Sequence, residues 1–181
     1  FISDFEQGPD GLLYCAIRGT YPEPRRHGGG IVIIDIDDLN NFTLIDTAYL
    51  DYYADEYMIV KDIEFNNSGV MWAANTYATT RREPIAIKDI NNVWSSISLV
   101  SSNNYLSYTP NTIGFDSFNR VWIGSFEDDL NSPPARNGGL VYMDYEGSIL
   151  EPSSIDWGYI DINPGYNNNT VWSLVINNED I

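Results

Sequence analysis

The sequence is poor in positive charge. Nine Lys and Arg stand against 26 Asp and Glu in 181 residues, a net charge of −17, and Lys61 and Lys88 are the only lysines. A surface of this sign repels phosphate backbones and anionic lipids, so a nucleic-acid partner is excluded. Cys15 is the only cysteine and His27 the only histidine. No intrachain disulfide, cysteine zinc site or two-histidine motif can form. No apolar run reaches the roughly 18 residues of a membrane-crossing helix, so membrane insertion is not expected in this segment. Residues 1–10 have neither a basic start nor an apolar stretch, and no signal peptide is visible. With Phe1 in first place, the expectation is a mature chain or a fragment. Helix signals are scarce as well. The best stretch, 49–60, holds no clean 3.6 period and lacks a cap; it reads as a loop with at most one helical turn.

What the sequence does contain is apolar surface in short pieces. Hydrophobic residues make up 43% and aromatics 14%, enough to bury a core and to exclude wholesale disorder. Glycines, prolines and paired asparagines (Asn40-Asn41, Asn66-Asn67, Asn91-Asn92, Asn103-Asn104) punctuate the chain. Between them lie runs such as Ile31 to Ile34, Val70 to Trp72, Ile85 to Ile87, Val121 to Ile123 and Leu140 to Met143. Short β-branched and aromatic runs bounded by turn formers read as strands.

These runs repeat. Ile63 to Asn75 aligns with Ile113 to Ser125 at an offset of 50, matching Phe65 with Phe115 and Trp72 with Trp122. A looser copy opens the chain: Asp4-Phe5, then Leu12 to Ala16, with Tyr14 for the Trp and a turn two residues longer. A fourth starts at Val171-Trp172, with Ile176 in the place of the phenylalanines. A polar loop follows the aromatic residue in each copy. Then comes a strand ending in Asp: Ile31 to Asp35, Ile85 to Asp89, Leu140 to Asp144. A last short strand is expected at 42–45, 96–100 and 147–150. Four short antiparallel strands per 50–60 residues make a propeller blade.

The run Phe-Asp/Asn-x-x-Gly/Asn-x-Val-Trp, a loop, then Gly-Gly-Leu-x-x-x-Asp resembles the two-component-regulator-type β-propeller repeat. Phe115 to Ser125 with Asn137 to Asp144 match best. Phe65 to Asn75 follow, with Glu83-Pro84 for the two glycines. The expected fold is an all-β propeller of four-stranded antiparallel blades, partial here: blades at 1–58, 59–108 and 109–170, and another beginning at 171–181, in one domain over 1–181. The resemblance implies a ligand- or protein-binding module of an extracytoplasmic bacterial sensor or surface protein. Its location would be periplasmic, cell-surface or secreted, and the remaining blades of a parent propeller would be partners.

Candidate site residues come from one bias. The loop after each second strand carries arginine: Arg25 and Arg26, Arg81 and Arg82, and Arg136. These are five of the seven arginines, with Tyr21, Tyr77 and Phe126 beside them. Guanidinium forks suit carboxylate, phosphate or sulfate groups and aromatic faces suit sugar rings, so an anionic glycan is the candidate ligand. The competing reading is local pairing with Glu23, Glu83, Asp128 and Asp129. No cofactor is expected. Calcium at Asp35-Ile36-Asp37-Asp38 departs from the EF-hand pattern, and a solvated turn is the default there. Asn41, Asn66 and Asn168 open glycosylation-type triplets that a chain this rich in asparagine yields by chance. The alternative function is a propeller-fold enzyme, a polysaccharide lyase or hydrolase. It would draw on Asp51, Asp55 and Glu56, or on Asp128 and Asp129, and no nucleophile motif accompanies them.

Overall fold

The computed structural model describes residues 1–20, 27–129, 131, 136–148, 151–163 and 169–177. Twelve strands form three antiparallel meanders among them. The first contains β1 (Ile2–Gln7), β2 (Leu13–Thr20), β3 (His27–Ile34) and β4 (Phe42–Ile45). The second contains β5 (Ile59–Phe65), β6 (Met71–Thr76), β7 (Ile85–Lys88) and β8 (Trp94–Ile97). The third contains β9 (Pro110–Phe115), β10 (Val121–Ser125), β11 (Gly139–Ser148) and β12 (Glu151–Ile160). A single bridge, Arg18 to Ile59, joins the first two. The fold is a partial β-propeller, nearly all β. The stretch 49–60 contains one short 3-10 turn, Ala54–Glu56, before β5 begins. The last strand of the third meander lies beyond the expected 147–150, because β11 runs on to Ser148 and pairs there with Glu151.

Alternation explains why the second strands read as unbroken apolar runs. All six residues of β6 are buried. Met71 and Ala73 pack towards the first meander with Tyr14, Ala16, Ile31 and Ile63. Trp72 and Ala74 pack towards the third with Ile113, Val121, Ile123 and Met143. A period-2 strand between two sheets has no solvent face, so both sets are apolar. The aromatic residue of one unit meets the phenylalanine of the next: Tyr14 lies edge-on to Phe65 at 5.0 Å, and Trp72 edge-on to Phe115 at 5.8 Å. Apolar side chains stand exposed at both ends of the described chain, Phe1, Ile2 and Phe5 at one and Trp172 and Val175 at the other, and on the edge strand β4 at Phe42 and Leu44.

The first repeat needs a correction. Tyr14 pairs with Glu6, as Trp72 pairs with Glu64 and Trp122 with Gly114. The position of Phe65 and Phe115 is therefore taken by Gln7, and Phe5 is exposed. The turn is not longer in the first unit. In all three, the turn's first N–H donates to the carbonyl four residues on (Gly8 to Leu12, Asn66 to Val70, Asp116 to Arg120). Its fourth residue lies in the left-handed region: Gly11, Gly69 and Asn119, at φ 82°, 78° and 64°.

The β7–β8 hairpin has the same turn, with the Asp89 carboxylate accepting from the N–H groups of Asn91 and Val93 and with Asn92 at φ 63°. The left-handed conformation costs most residues ~1 kcal/mol and glycine nothing. Asn92→Ala should therefore lower stability by about 1 kcal/mol, with Asn92→Gly within a few tenths of the parent in urea melts. Gly29 and Gly30 meet a different need. They lie at φ 94° and 119°, where an added Cβ would strike the carbonyls of Met58 and Ile45.

Candidate functional site

Repetition continues at the inner strands. In β1, β5 and β9 a register shift inserts one extra residue: Ser3 between Ile2 and Asp4, Lys61 between Val60 and Asp62, Asn111 between Pro110 and Thr112. Such bulges re-aim side chains. Asn111 uses its position to donate to the carbonyls of Val171 and Trp172, at 3.3 and 2.5 Å. This holds 171–177 beside β9 and β10, where Leu174 and Ile176 cover Gly114. The residue after each of the first two bulges spans to the next unit. Asp4 Oδ2 accepts from the Ile63 N–H at 3.1 Å, and Asp62 Oδ2 accepts from the Ile113 N–H at 2.6 Å.

At the ends of the second strands a row of aromatic rings crosses the units. Tyr77 has a positive φ of 62°, and its N–H donates to the Tyr108 carbonyl at 2.7 Å. Its hydroxyl donates to Asp128 Oδ2 at 2.7 Å. Burial first, then this carboxylate, pushes the Tyr77 hydroxyl well above the usual phenol range. Tyr77 lies edge-on to Tyr53 at 6.5 Å and to Phe126 at 6.0 Å; Phe126 stacks on Trp172 at 6.1 Å and 8°. Trp172 is 72% exposed and offers an open ring face.

Of the candidate residues in these loops, Tyr77 and Phe126 are thus brought together. Tyr21, Arg25 and Arg26 lie outside the described residues. The other arginines have separate surroundings. Arg81 is tied down locally: Nε donates to Glu83 at 3.0 Å and Nη1 to the Thr47 carbonyl at 3.4 Å. Its N–H, like those of Tyr52 and Glu83, donates to the buried carboxylate of Asp51. It borders a shallow open cleft of about 380 Å³ with Glu83, Tyr49, Trp94 and Asn92. Arg82 is exposed, with its carbonyl accepting from the Leu99 N–H. Arg136 lies over the rings of Tyr159 and Tyr105, at 4.7 and 5.6 Å.

The cation beside the aromatic row is one that loop reasoning passed over, because it lies inside a strand. Arg18, near the end of β2, donates from Nε to the Tyr57 hydroxyl at 2.9 Å. It is close enough to Tyr77 and to Lys61 for its charge to act on both. The only sequence signal was its exclusion from the five loop arginines.

Asp51, Asp35 and Asp38, among the groups weighed for catalysis or calcium, have local occupations. Both oxygens of Asp51 accept backbone N–H groups. The Asp35 and Asp38 carboxylates accept from the N–H groups of Asp37 and Asn40 within their own turn. His27 is exposed at the start of β3.

No family model matches the sequence, and no curated protein is similar to it. Among solved structures it is similar to the crystal structure of the extracellular domain assigned to the one component system BT4673 from B. thetaiotaomicron. The TM-score is 0.58 and the identity 14%; the likeness covers 98% of this chain and 19% of that one. This chain therefore spans less than a fifth of that protein's length, and at this identity the likeness carries the fold. Among the described residues, no helix is long and apolar enough to cross a membrane.

Proposed function

We propose that the chain is a non-catalytic binding module of an extracytoplasmic bacterial sensor or surface protein, built from repeats of the two-component-regulator type. It forms one domain over 1–181, with units at 1–58, 59–108 and 109–170 and a further unit opening at 171. Its setting is the periplasm, the cell surface or the secreted fraction. The exposed apolar side chains at the two ends suit the remaining blades of a parent propeller. The likeness to an extracellular domain of a one component system supports this reading.

The observation that carries the proposal is the row Tyr53, Tyr77, Phe126 and Trp172. Ring faces spaced across adjacent units can stack successive sugar rings of an extended glycan, and one already stands open to solvent. Affinity electrophoresis of the 181-residue chain in gels containing neutral or acidic polysaccharides tests it. We expect retardation in at least one gel. Trp172→Ala should weaken it about tenfold, the equivalent of ~1.4 kcal/mol, with an unchanged melting temperature. Migration unaffected by every polysaccharide would refute glycan binding and leave a protein partner as the ligand.

A further inference from the structure

A second feature of this face has a more specific chemistry. Arg18 and Lys61 lie at the junction of the first two units, near enough for the Arg18 charge to act on the lysine. Their placement follows from the backbone: Arg18 is bridged to Ile59, and Lys61, the bulged residue of β5, comes two positions further along the same strand. The Arg18 guanidinium is fixed by the Tyr57 hydroxyl at 2.9 Å, leaving its remaining N–H donors for another partner. Lys61 is half-buried, and burial first, then the Arg18 charge, pull its ammonium below the ordinary lysine range. Among the described residues neither cation has an ion pair; the ion pairs there belong to Arg81 and Arg120. This is unusual in a chain with 26 carboxylates and nine cations. Two like charges held together, one of them partly desolvated, repel each other unless an anion lies between them.

We propose that Arg18 and Lys61 form an oxyanion subsite that takes the carboxylate of an acidic sugar, a uronate, whose ring is carried by the neighbouring aromatic row. The proposal rests on the glycan-binding reading above. A guanidinium and an ammonium together match one carboxylate: the fork takes one or both oxygens and the ammonium approaches as a point charge. The net charge of −17 argues against densely charged ligands. A polyphosphate or heavily sulfated chain would meet repulsion over most of its length, whereas a ligand with one carboxylate per ring pays little outside the subsite.

Titration calorimetry of the 181-residue chain with trigalacturonic acid, with its neutral galactose counterpart, and with sodium phosphate as competitor tests the assignment. Trigalacturonic acid should bind at least tenfold more tightly than the neutral sugar, with affinity falling as salt rises. Lys61→Met should remove most of that preference and flatten the salt dependence, at an unchanged melting temperature. Lys61→Arg should restore it. Millimolar phosphate should compete weakly. Equal affinity for the acidic and neutral sugars, or an acidic preference that survives Lys61→Met, would overturn the subsite while leaving glycan binding intact. Phosphate binding as tightly as the uronate would overturn the carboxylate assignment. Loss of all sugar binding in the parent chain would remove the glycan reading itself.

Discussion

Trp72→Ala should cost about 4 kcal/mol, a large share of the roughly 5–15 kcal/mol that holds a typical domain folded. The side chain is completely buried, lies edge-on to Phe115 and belongs to the core between the second and third units. Truncation would open a cavity that rigid sheets on both sides cannot close. Trp122, its counterpart one unit on, should behave differently. It is only partly buried, its indole N–H donates to Asp116 Oδ2 at 3.1 Å, and Arg120 and Tyr142 lie beside its ring. Trp122→Ala should cost roughly 1–2 kcal/mol, in the range of an ordinary partly buried substitution. Trp72 also has an indole N–H without a hydrogen-bond partner. Trp72→Phe removes that orphaned donor with part of the ring, so it should cost much less than alanine. Urea unfolding by far-UV circular dichroism would rank the three. Equal losses for the two alanine variants would contradict the enclosed-versus-edge distinction.

The same pair shows what the sequence made legible. The offset of 50 between Phe65–Trp72 and Phe115–Trp122 was visible because each aromatic residue sits beside a turn of fixed length, and the four-strand unit followed. The first unit was misaligned for a physical reason. Phe5 is the only phenylalanine near its turn and drew the match, but the conserved geometry is the backbone turn from Gly8 to Leu12, which Gln7 enters as readily as a phenylalanine.

The arginine loops were equivalent in sequence order and diverged in their partners. Arg81 is fixed through Asp51, thirty residues earlier in the chain. The repeat pattern holds no trace of that contact, because it comes from the irregular segment before β5. Arg18 carries no repeat signal for the converse reason. It belongs to a strand, and its proximity to Lys61 depends on a bulge and on the inter-unit bridge at Ile59, neither of which has a residue signature. Tyr77 and Phe126 come together because they follow directly on the second strands, where the repeat still sets position.

Stability should fall as the pH rises from about 4 to about 7, the reverse of the behaviour of carboxylates held by cations. The cause lies on the inner strands, where Asp4 and Glu6 of β1 face Asp62 and Glu64 of β5. Burial, with the nearby Asp4 charge, pushes Asp62 up to about 6; burial, then Asp62, Glu6 and Asp4, pushes Glu64 up to about 7. Glu6 is raised as well, by burial and by Asp4. A group whose pKa is higher in the folded chain binds more protons folded than unfolded. Its stabilisation is complete below the unfolded value and is lost as the pH passes through the folded one. Here the loss begins near the ordinary carboxylate values of 3.8 and 4.5 and is complete once the pH has passed about 6 for Asp62 and about 7 for Glu64. The loss should total on the order of 2 kcal/mol, after allowance for the solvent exposure of Glu64. Relief of general repulsion in so acidic a chain acts in the same direction, and a control separates the two. Asp37→Asn removes one charge from an exposed turn and should leave the slope intact. Glu64→Gln should flatten its upper part, and Asp62→Asn its lower part, while keeping an oxygen to accept from the Ile113 N–H. Melting temperatures at half-unit pH intervals would decide. A profile that rises towards pH 8, or identical slopes in the Asp37, Asp62 and Glu64 variants, would show that these carboxylates are charged throughout and that the junction between the first two units is not held by their protons.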